Sequence, residues 1–245
     1  MNTRRIPFRT LLRVETRKLF DTRGGKVISG VLVALAAGAV VGRGVVSGPE
    51  LHTVAGTAGI VFGILLPVLA ILTVTGEWSH RTALTTFTLE PRRGRVMAAK
   101  CLPPLVASVM ACAFAMLVAV PVTAAVAAAQ GVPADWRVAP PALAGWTATT
   151  VLLTAQGLAL GTVLMNAPAA IVTCLSSTVI WSVVGRLGSA GEAAMEWLDL
   201  NTATIPLVNG DVTGADAARL AVSALAWIVL PMAAGMVRTM RREVD

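Results

Sequence analysis

Few side chains in this chain have the type and spacing to do chemistry. Its 245 residues carry two histidines, His52 and His80, and three cysteines, Cys101, Cys112 and Cys174. The sequence contains no Gly-x-x-x-x-Gly-Lys-Ser/Thr run, so it offers no phosphate cradle of that kind. It has no His-Glu-x-x-His and no closely paired cysteines, so no catalytic metal set is legible. Thr147, Thr149, Thr150, Ser176 and Ser177 lie in apolar stretches without a histidine beside them, which speaks against a membrane-embedded protease. Cys101 and Cys112 are three helical turns apart, too far to bridge or to share a metal. All three cysteines read as small buried hydrophobes. What remains is one dense polar run between two apolar stretches, from Gly76 to Lys100, with Glu77, His80, Arg81, Glu90, Arg92, Arg93, Arg95 and Lys100 as its charged and titratable groups.

The elements that would position this run follow from composition. Hydrophobic residues make up 56% and charged residues only 13%, too little charge for the surface of a soluble domain of this length. No Asp, Glu, Lys or Arg occurs from Cys101 to Ala134 or from Val138 to Gly185. Each stretch exceeds the roughly 20 residues a bilayer-crossing helix needs. Six spans are expected, at Val27 to Val46, Thr53 to Thr75, Cys101 to Ala129, Pro141 to Met165, Pro168 to Leu187 and Ala217 to Val237. Helix is their expected form, because an open strand edge in lipid leaves backbone groups unpaired. The fold class is therefore all-α and polytopic, one transmembrane domain over residues 1–245. Thr3-Arg4-Arg5 precedes the first apolar run as in a secretion signal, but with no clean small-residue cleavage site. The run reads as an uncleaved first span.

The net charge of +7 is distributed by side. Arg4, Arg5, Arg9, Arg13, Arg17, Lys18, Arg23 and Lys26 precede the first span. Arg81, Arg92, Arg93, Arg95 and Lys100 lie between the second and third, and Arg238, Arg241 and Arg242 follow the sixth. With six spans all three groups share one side, and only Arg43, Arg137, Arg186 and Arg219 fall on the other. Cytoplasmic loops collect Lys and Arg, so both termini are expected in the cytoplasm. This accounts for the basic balance without nucleic acid as a partner. Arginine greatly outnumbers lysine and Ala and Val abound, which reads as a GC-rich bacterial coding sequence. The expected location is the bacterial inner membrane.

Residues 1–26 form a cytoplasmic arm with an amphipathic pattern. At 100° per residue Phe8, Leu11, Leu12 and Leu19 gather on one side, with Arg9, Arg13 and Arg17 opposite. Such a helix lies in the headgroup layer, apolar side down, with its arginines on anionic lipid or on a partner. Glu15 falls inside the apolar arc with Lys18 one turn on, either as an intrahelical pair or as a partner contact. Gly38-x-x-x-Gly42, Gly59-x-x-x-Gly63 and Gly157-x-x-x-Gly161 allow close helix approach, within the subunit or at a dimer seam. Pro103, Pro104, Pro121 and Pro231 are expected to kink their spans. Residues 188–216 form the opposite, extracellular loop, with a short interfacial helix at Ser189 to Leu200 and turns at Asn209-Gly210 and Thr213-Gly214.

Within the polar run, a short helix is expected from about Ser79 to Leu89, capped by Ser79 and stopped by Pro91. Ala83, Leu84 and Phe87 cluster on one face, and Arg92 to Lys100 lead back into the membrane. The result is a knob with an apolar tip and a basic collar. The plainer alternative is a solvated loop whose arginines only set topology. A proton- or sodium-coupled carrier needs an ionisable group in mid-membrane. Away from their ends the predicted spans hold none, so any transport would draw its energy from outside this polypeptide.

This run resembles the cytoplasmic loop of the ABC-2 type transporter permease family, in which a Glu ending the second span is followed by a short helix, a Thr-rich step, Pro-Arg-Arg-Gly-Arg and a Lys entering the third span. Here those positions are Glu77, His80-Arg81-Thr82, Pro91-Arg92-Arg93-Gly94-Arg95 and Lys100. Arg81 stands where many members carry Gly. Glu15-x-x-Lys18-Leu19 and Arg23 resemble the family's N-terminal interfacial helix. The resemblance implies a half-transporter: two permease subunits, as homo- or heterodimer, with two separate ATPase subunits on the cytoplasmic side. Residues 76–100 would be the coupling loop. Leu84 and Phe87 would dock on the ATPase, with Arg81, Arg92, Arg93 and Arg95 in polar contact around them and Glu77 at the hinge. ATP and Mg would be bound by the partner, and this chain would hold no cofactor and perform no catalysis itself. The expected function is an exporter of hydrophobic or amphipathic substrate. The alternatives are a non-transporting membrane anchor or immunity subunit that recruits a cytoplasmic partner, and a secondary carrier.

Overall fold

The computed structural model describes residues 7–79 and 92–241, with only the backbone described for residues 77–79 and Arg241. Helices α1 (Phe8–Asp21), α2 (Arg23–Ser47), α3 (Leu51–Gly56) and α4 (Ala58–Ser79) form the first half, followed by α5 (Arg93–Gln130). Then come α6 (Pro140–Leu164), α7 (Ala167–Val184), α8 (Ser189–Leu198), α9 (Leu200–Asn209) and α10 (Gly214–Ala224). A π-helical turn at Leu225–Val229 joins α10 to α11 (Leu230–Arg241). There is no strand among the described residues. Six helical stretches are long and apolar enough to cross a membrane: α2, α3 with α4, α5, α6, α7, and α10 through α11.

Local chemistry fixes the ends of these helices. Thr22 accepts the Gly25 amide at 3.1 Å and starts α2 directly after α1. A Cβ on Gly25 would lie 2.0 Å from the Leu19 carbonyl oxygen, so only glycine lets this elbow close. Pro140 and Pro141 open α6, where their missing N–H groups cost nothing. Asn166 caps α7 through the Ala169 amide, and Thr213 with Asp216 forms a reciprocal capping box on α10. The third spanning helix has 38 residues, hence a length of about 57 Å. That far exceeds a hydrocarbon core of about 30 Å, so α5 protrudes from the apolar layer.

The main core joins α2, α3, α4, α5 and α6 through Leu32, Val40, Val54, Phe62, Ala115 and Trp146. The Phe62 and Trp146 rings stack with centroids 6.1 Å apart. A second cluster, Ile71, Leu160, Ala170 and Cys174, ties α4 and α6 to α7. Small residues set these distances. A Cβ on Gly157 would lie 2.5 Å from the Pro67 carbonyl oxygen, one on Gly161 2.5 Å from Val74, and one on Gly59 2.9 Å from the Trp146 indole nitrogen. Gly59 and the Gly157/Gly161 pair therefore serve packing within the subunit, whereas Gly38 and Gly42 have open space around them. Cys112 and Cys174 are buried and all three cysteines are free, as expected of small hydrophobes.

Several expectations need correction. The backbone of Ser79 belongs to the last described turn of α4, and the short helix expected from about Ser79 to Leu89 lies otherwise outside the described residues. The second span is broken at Thr57 and begins in α3. The helix expected at Ser189 to Leu200 stops at Leu198, and a second helix that the sequence did not suggest, α9, follows. Asp199 creates it by accepting the amides of Asn201 and Thr202. Helix α9 folds back onto α6, where a Cβ on Gly145 would lie 1.7 Å from the Leu207 carbonyl oxygen. In the last span, the Leu230 amide reaches the Leu225 carbonyl, a widened turn just before Pro231. Proline removes a donor and crowds the preceding turn, which a π turn relieves. The Trp227 indole within that turn donates to the Leu198 carbonyl at 2.6 Å.

Candidate functional site

The described residues of the predicted site collect at one end of the bundle, where α1, the start of α5, the end of α6 and the end of α11 meet. Glu15 stands on the face of α1 that packs against α5, and only 5% of it is exposed. Its carboxylate accepts Lys18 Nζ at 2.8 Å on one oxygen and Lys100 Nζ at 3.1 Å on the other. Lys100 is 3% exposed, and Leu19, one turn beyond Glu15, is also buried. The intrahelical pair of Glu15 with Lys18 is thus realised, and Glu15 also reaches a second helix of the same chain. Burying a carboxylate is costly unless opposite charge and hydrogen bonds hold both of its oxygens, and here two ammonium groups do so.

This placement changes the reading of the arm. Leu11 and Leu12 are half-buried and Leu19 is buried, so part of the apolar side packs on the chain's own helices, while Phe8 stays exposed. Arg9, Arg13 and Arg17 are exposed on the opposite side. At the elbow, Asp21 pairs with Arg17 at 2.9 Å and Lys26 at 3.2 Å. The Arg17 and Lys26 hydrogen bonds hold the Asp21 carboxyl below its usual range.

Two further arginines bolt the same end together. Arg93 Nη1 donates to the Thr239 carbonyl at 2.6 Å and to the Met240 carbonyl at 3.4 Å, joining the first turn of α5 to the last turn of α11. Arg238 Nη1 donates to the Val163 carbonyl at 2.9 Å, joining α11 to the end of α6. Both cations sit on helix C-terminal carbonyls, where the partial negative charge of the helix end favours them. Gly235 lets α11 approach this closely, since its Cβ would lie 2.7 Å from Thr162. The result is a continuous belt from α1 through α5 and α11 to α6.

Of the residues singled out in the sequence, Glu15, Lys18, Leu19 and Lys100 are brought together, and Arg93 joins the adjoining belt. Arg92 is exposed and Arg95 is half-buried. His80, Arg81, Thr82, Leu84, Phe87 and Pro91 lie outside the described residues, as does the Glu77 side chain. Sequence reasoning missed Arg238 and the backbone carbonyls that Arg93 and Arg238 engage. Glu15 did carry a signal, being a carboxylate within an apolar arc, and Lys100 carried another, being the last charge before a long apolar run. Joining them required the fold.

At the other end, Arg219 pairs with Glu196 at 2.9 Å and Asp216 at 3.4 Å, tying α10 to α8. The link after the first span meets the link after the third, where the Asp135 amide donates to the Pro49 carbonyl at 2.9 Å and the Leu51 amide to the Asp135 carbonyl at 3.0 Å. Among the described residues Arg43, Arg137, Arg186 and Arg219 are the only arginines at this end, so positive charge is biased to the end with the belt.

The fold and this belt define an α-helical multi-pass membrane protein with a charge-locked N-terminal helix. No family model and no curated protein matches the chain.

Proposed function

We propose that this chain is the membrane permease subunit of an ATP-binding cassette exporter of the ABC-2 type, with both termini in the cytoplasm of a bacterial cell. It works with a second permease subunit and with a separate ATPase that binds ATP and Mg. The observation that carries this reading is the meeting of Glu15, Lys18 and Leu19 with Lys100. These residues come from two stretches far apart in sequence, and both stretches bear the family resemblance. The charge bias supports the orientation, since the end rich in Lys and Arg is the one that stays in the cytoplasm.

The mechanism follows from the belt. A partner docked on the segment around Leu84 and Phe87 moves the start of α5, because residue 92 follows that segment directly. Lys100 transmits the displacement to α1 through Glu15, and Arg93 transmits it to α11. Tightly packed interiors pass such shifts on rather than absorbing them. ATP hydrolysis in the partner thereby rearranges spans two, three and six, and a hydrophobic or amphipathic substrate leaves the cell. The test is Phe87→Asp in the reconstituted complex. It is expected to abolish substrate-stimulated ATP hydrolysis while leaving membrane insertion intact, and unchanged ATPase co-purification with unchanged turnover would refute the coupling role.

A further inference from the structure

A cavity of about 320 Å³ opens between α4, α6, α7 and α9, bounded by Gly63, Pro67, Gln156, Cys174, Thr178 and Asn201. Pro67, Gln156 and Cys174 sit well inside three candidate spanning helices, and Asn201 closes the cavity from α9. Its mouth is on the side of the bundle, where Ile64 and Leu175 are exposed. Its volume equals roughly ten waters and falls at the lower end of the range of small-molecule pockets.

The polar groups around this cavity distinguish it from a packing gap. Several buried hydroxyls elsewhere in the spans return to their own helices: Thr75 to Ile71, Thr150 to Trp146, Thr154 to Thr150, and Thr162 to Leu158. Gln156 does not. It is 3% exposed, lines the cavity, and makes no hydrogen bond to any described residue. A buried primary amide offers two donors and two acceptor lone pairs, and leaving them unmet in an apolar setting is costly. Proline 67 adds a second unmet need. It has no N–H to give to the carbonyl four residues earlier, and that carbonyl belongs to Gly63, also on the cavity wall. On the far wall Asn201 Nδ2 donates to Thr178 Oγ1 at 3.3 Å, leaving the rest of that amide available to a guest. No charged residue bounds the space.

We propose that this cavity binds the hydrogen-bonding group of an uncharged amphiphile, a hydroxyl or carbonyl compound with an apolar body that enters sideways from the membrane. Gln156 supplies both donor and acceptor, Gly63 supplies an acceptor, and the surrounding apolar wall holds the body. A cationic or anionic head is excluded because nothing in the wall would compensate its charge. The site belongs to this chain alone, so its test does not involve an ATPase, and its failure would leave the transport reading untouched.

The probe is a diazirine-bearing 1-dodecanol, applied to the full chain in phosphatidylcholine–phosphatidylglycerol nanodiscs. The controls are the matched alkane, lacking the hydroxyl, and the matched trimethylammonium compound. The hydroxyl probe is expected to label peptides of α4, α6 and α7 about three- to tenfold more than either control, the worth of one hydrogen bond inside a membrane protein. Gln156→Leu, close in size and apolar, is expected to remove that excess while the thermal midpoint and elution profile stay unchanged. Should that variant fail to fold, Gln156→Met, unbranched and equally without hydrogen-bonding groups, provides the same reading. Displacement of the probe by diacylglycerol in the nanodisc identifies a lipid as the natural source, and displacement only by added 1-dodecanol identifies a free amphiphile. Equal labelling by the alcohol and the alkane, unchanged in these variants, overturns the proposal.

Discussion

Replacing Lys100 with methionine tests whether α1 is locked by charge or merely by shape. Glu15 and Lys100 have side-chain exposures of 6% and 4%, so the variant leaves a carboxylate buried with one of its two cations gone. Removing one partner of a buried pair typically costs about 3–5 kcal/mol. Lys18 remains on the other oxygen at 2.8 Å but is 42% exposed, so it offsets part of this loss. The expected cost is therefore about 2–3 kcal/mol, a rise of roughly 30- to 150-fold in the population with α1 detached. Glu15→Met removes the same buried contact from the Lys100 side and is also expected to loosen α1. The double variant removes both charges and leaves two apolar side chains in contact, so its cost falls below that of either single change. The assay is limited trypsin cleavage after Arg13 and Arg17 in detergent, whose rate follows the open population when closing is fast. A coupling of at least about 1 kcal/mol between the two positions is predicted. Wild-type cleavage in both single variants, or a double variant equal to the sum of the singles, would refute the lock.

Other consequences follow from the same structure. Gly157→Ala forces a Cβ to within 2.5 Å of the Pro67 carbonyl oxygen and is expected to cost about 1–3 kcal/mol by overpacking, whereas Gly42→Ala, with open space around it, is expected to leave the thermal midpoint of the single chain within error. Asp21 has its carboxyl held below the ordinary 3.8, so its contribution to the α1–α2 elbow is full above that value and is lost as pH falls through the lower, folded-state value. Amide exchange at Thr22 to Gly25, corrected for the intrinsic pH effect, should therefore not change between pH 7 and pH 5 and should speed up only below pH 3.8.

The sequence made the spans legible because a bilayer demands long uncharged runs, and no other structure satisfies the backbone of such a run. It could not reveal that α5 begins at Arg93, because three charges interrupt Arg93 to Lys100 and the burial of Val96, Met97 and Ala99, with the contacts to Glu15 and the α11 carbonyls, depends on the fold. It also concealed α9, where Pro206 and Asn209-Gly210 resemble a loop, although Asp199 three residues before Thr202 is a readable helix start. The belt was half visible. Glu15 and Lys100 were conspicuous as charges in apolar company, but a pairing 85 residues apart depends on which spans are neighbours. The carbonyl ligands of Arg93 and Arg238 left no mark in the sequence, because every residue has a carbonyl.

The central claim is that the segment leading into Arg93 faces the cytoplasm and is engaged there by an ATP-driven partner. The most direct measurement places a single reactive thiol at that segment by Phe87→Cys, in a chain whose own three cysteines are replaced by alanine. Reaction is followed with a membrane-impermeant bifunctional maleimide in inside-out and right-side-out vesicles from the native host. Modification is expected in inside-out vesicles only, with a crosslink to an ATP-hydrolysing subunit whose yield changes when Mg-ATP is added. Modification only from the external face, or no crosslink to an ATPase in either vesicle type, would contradict it.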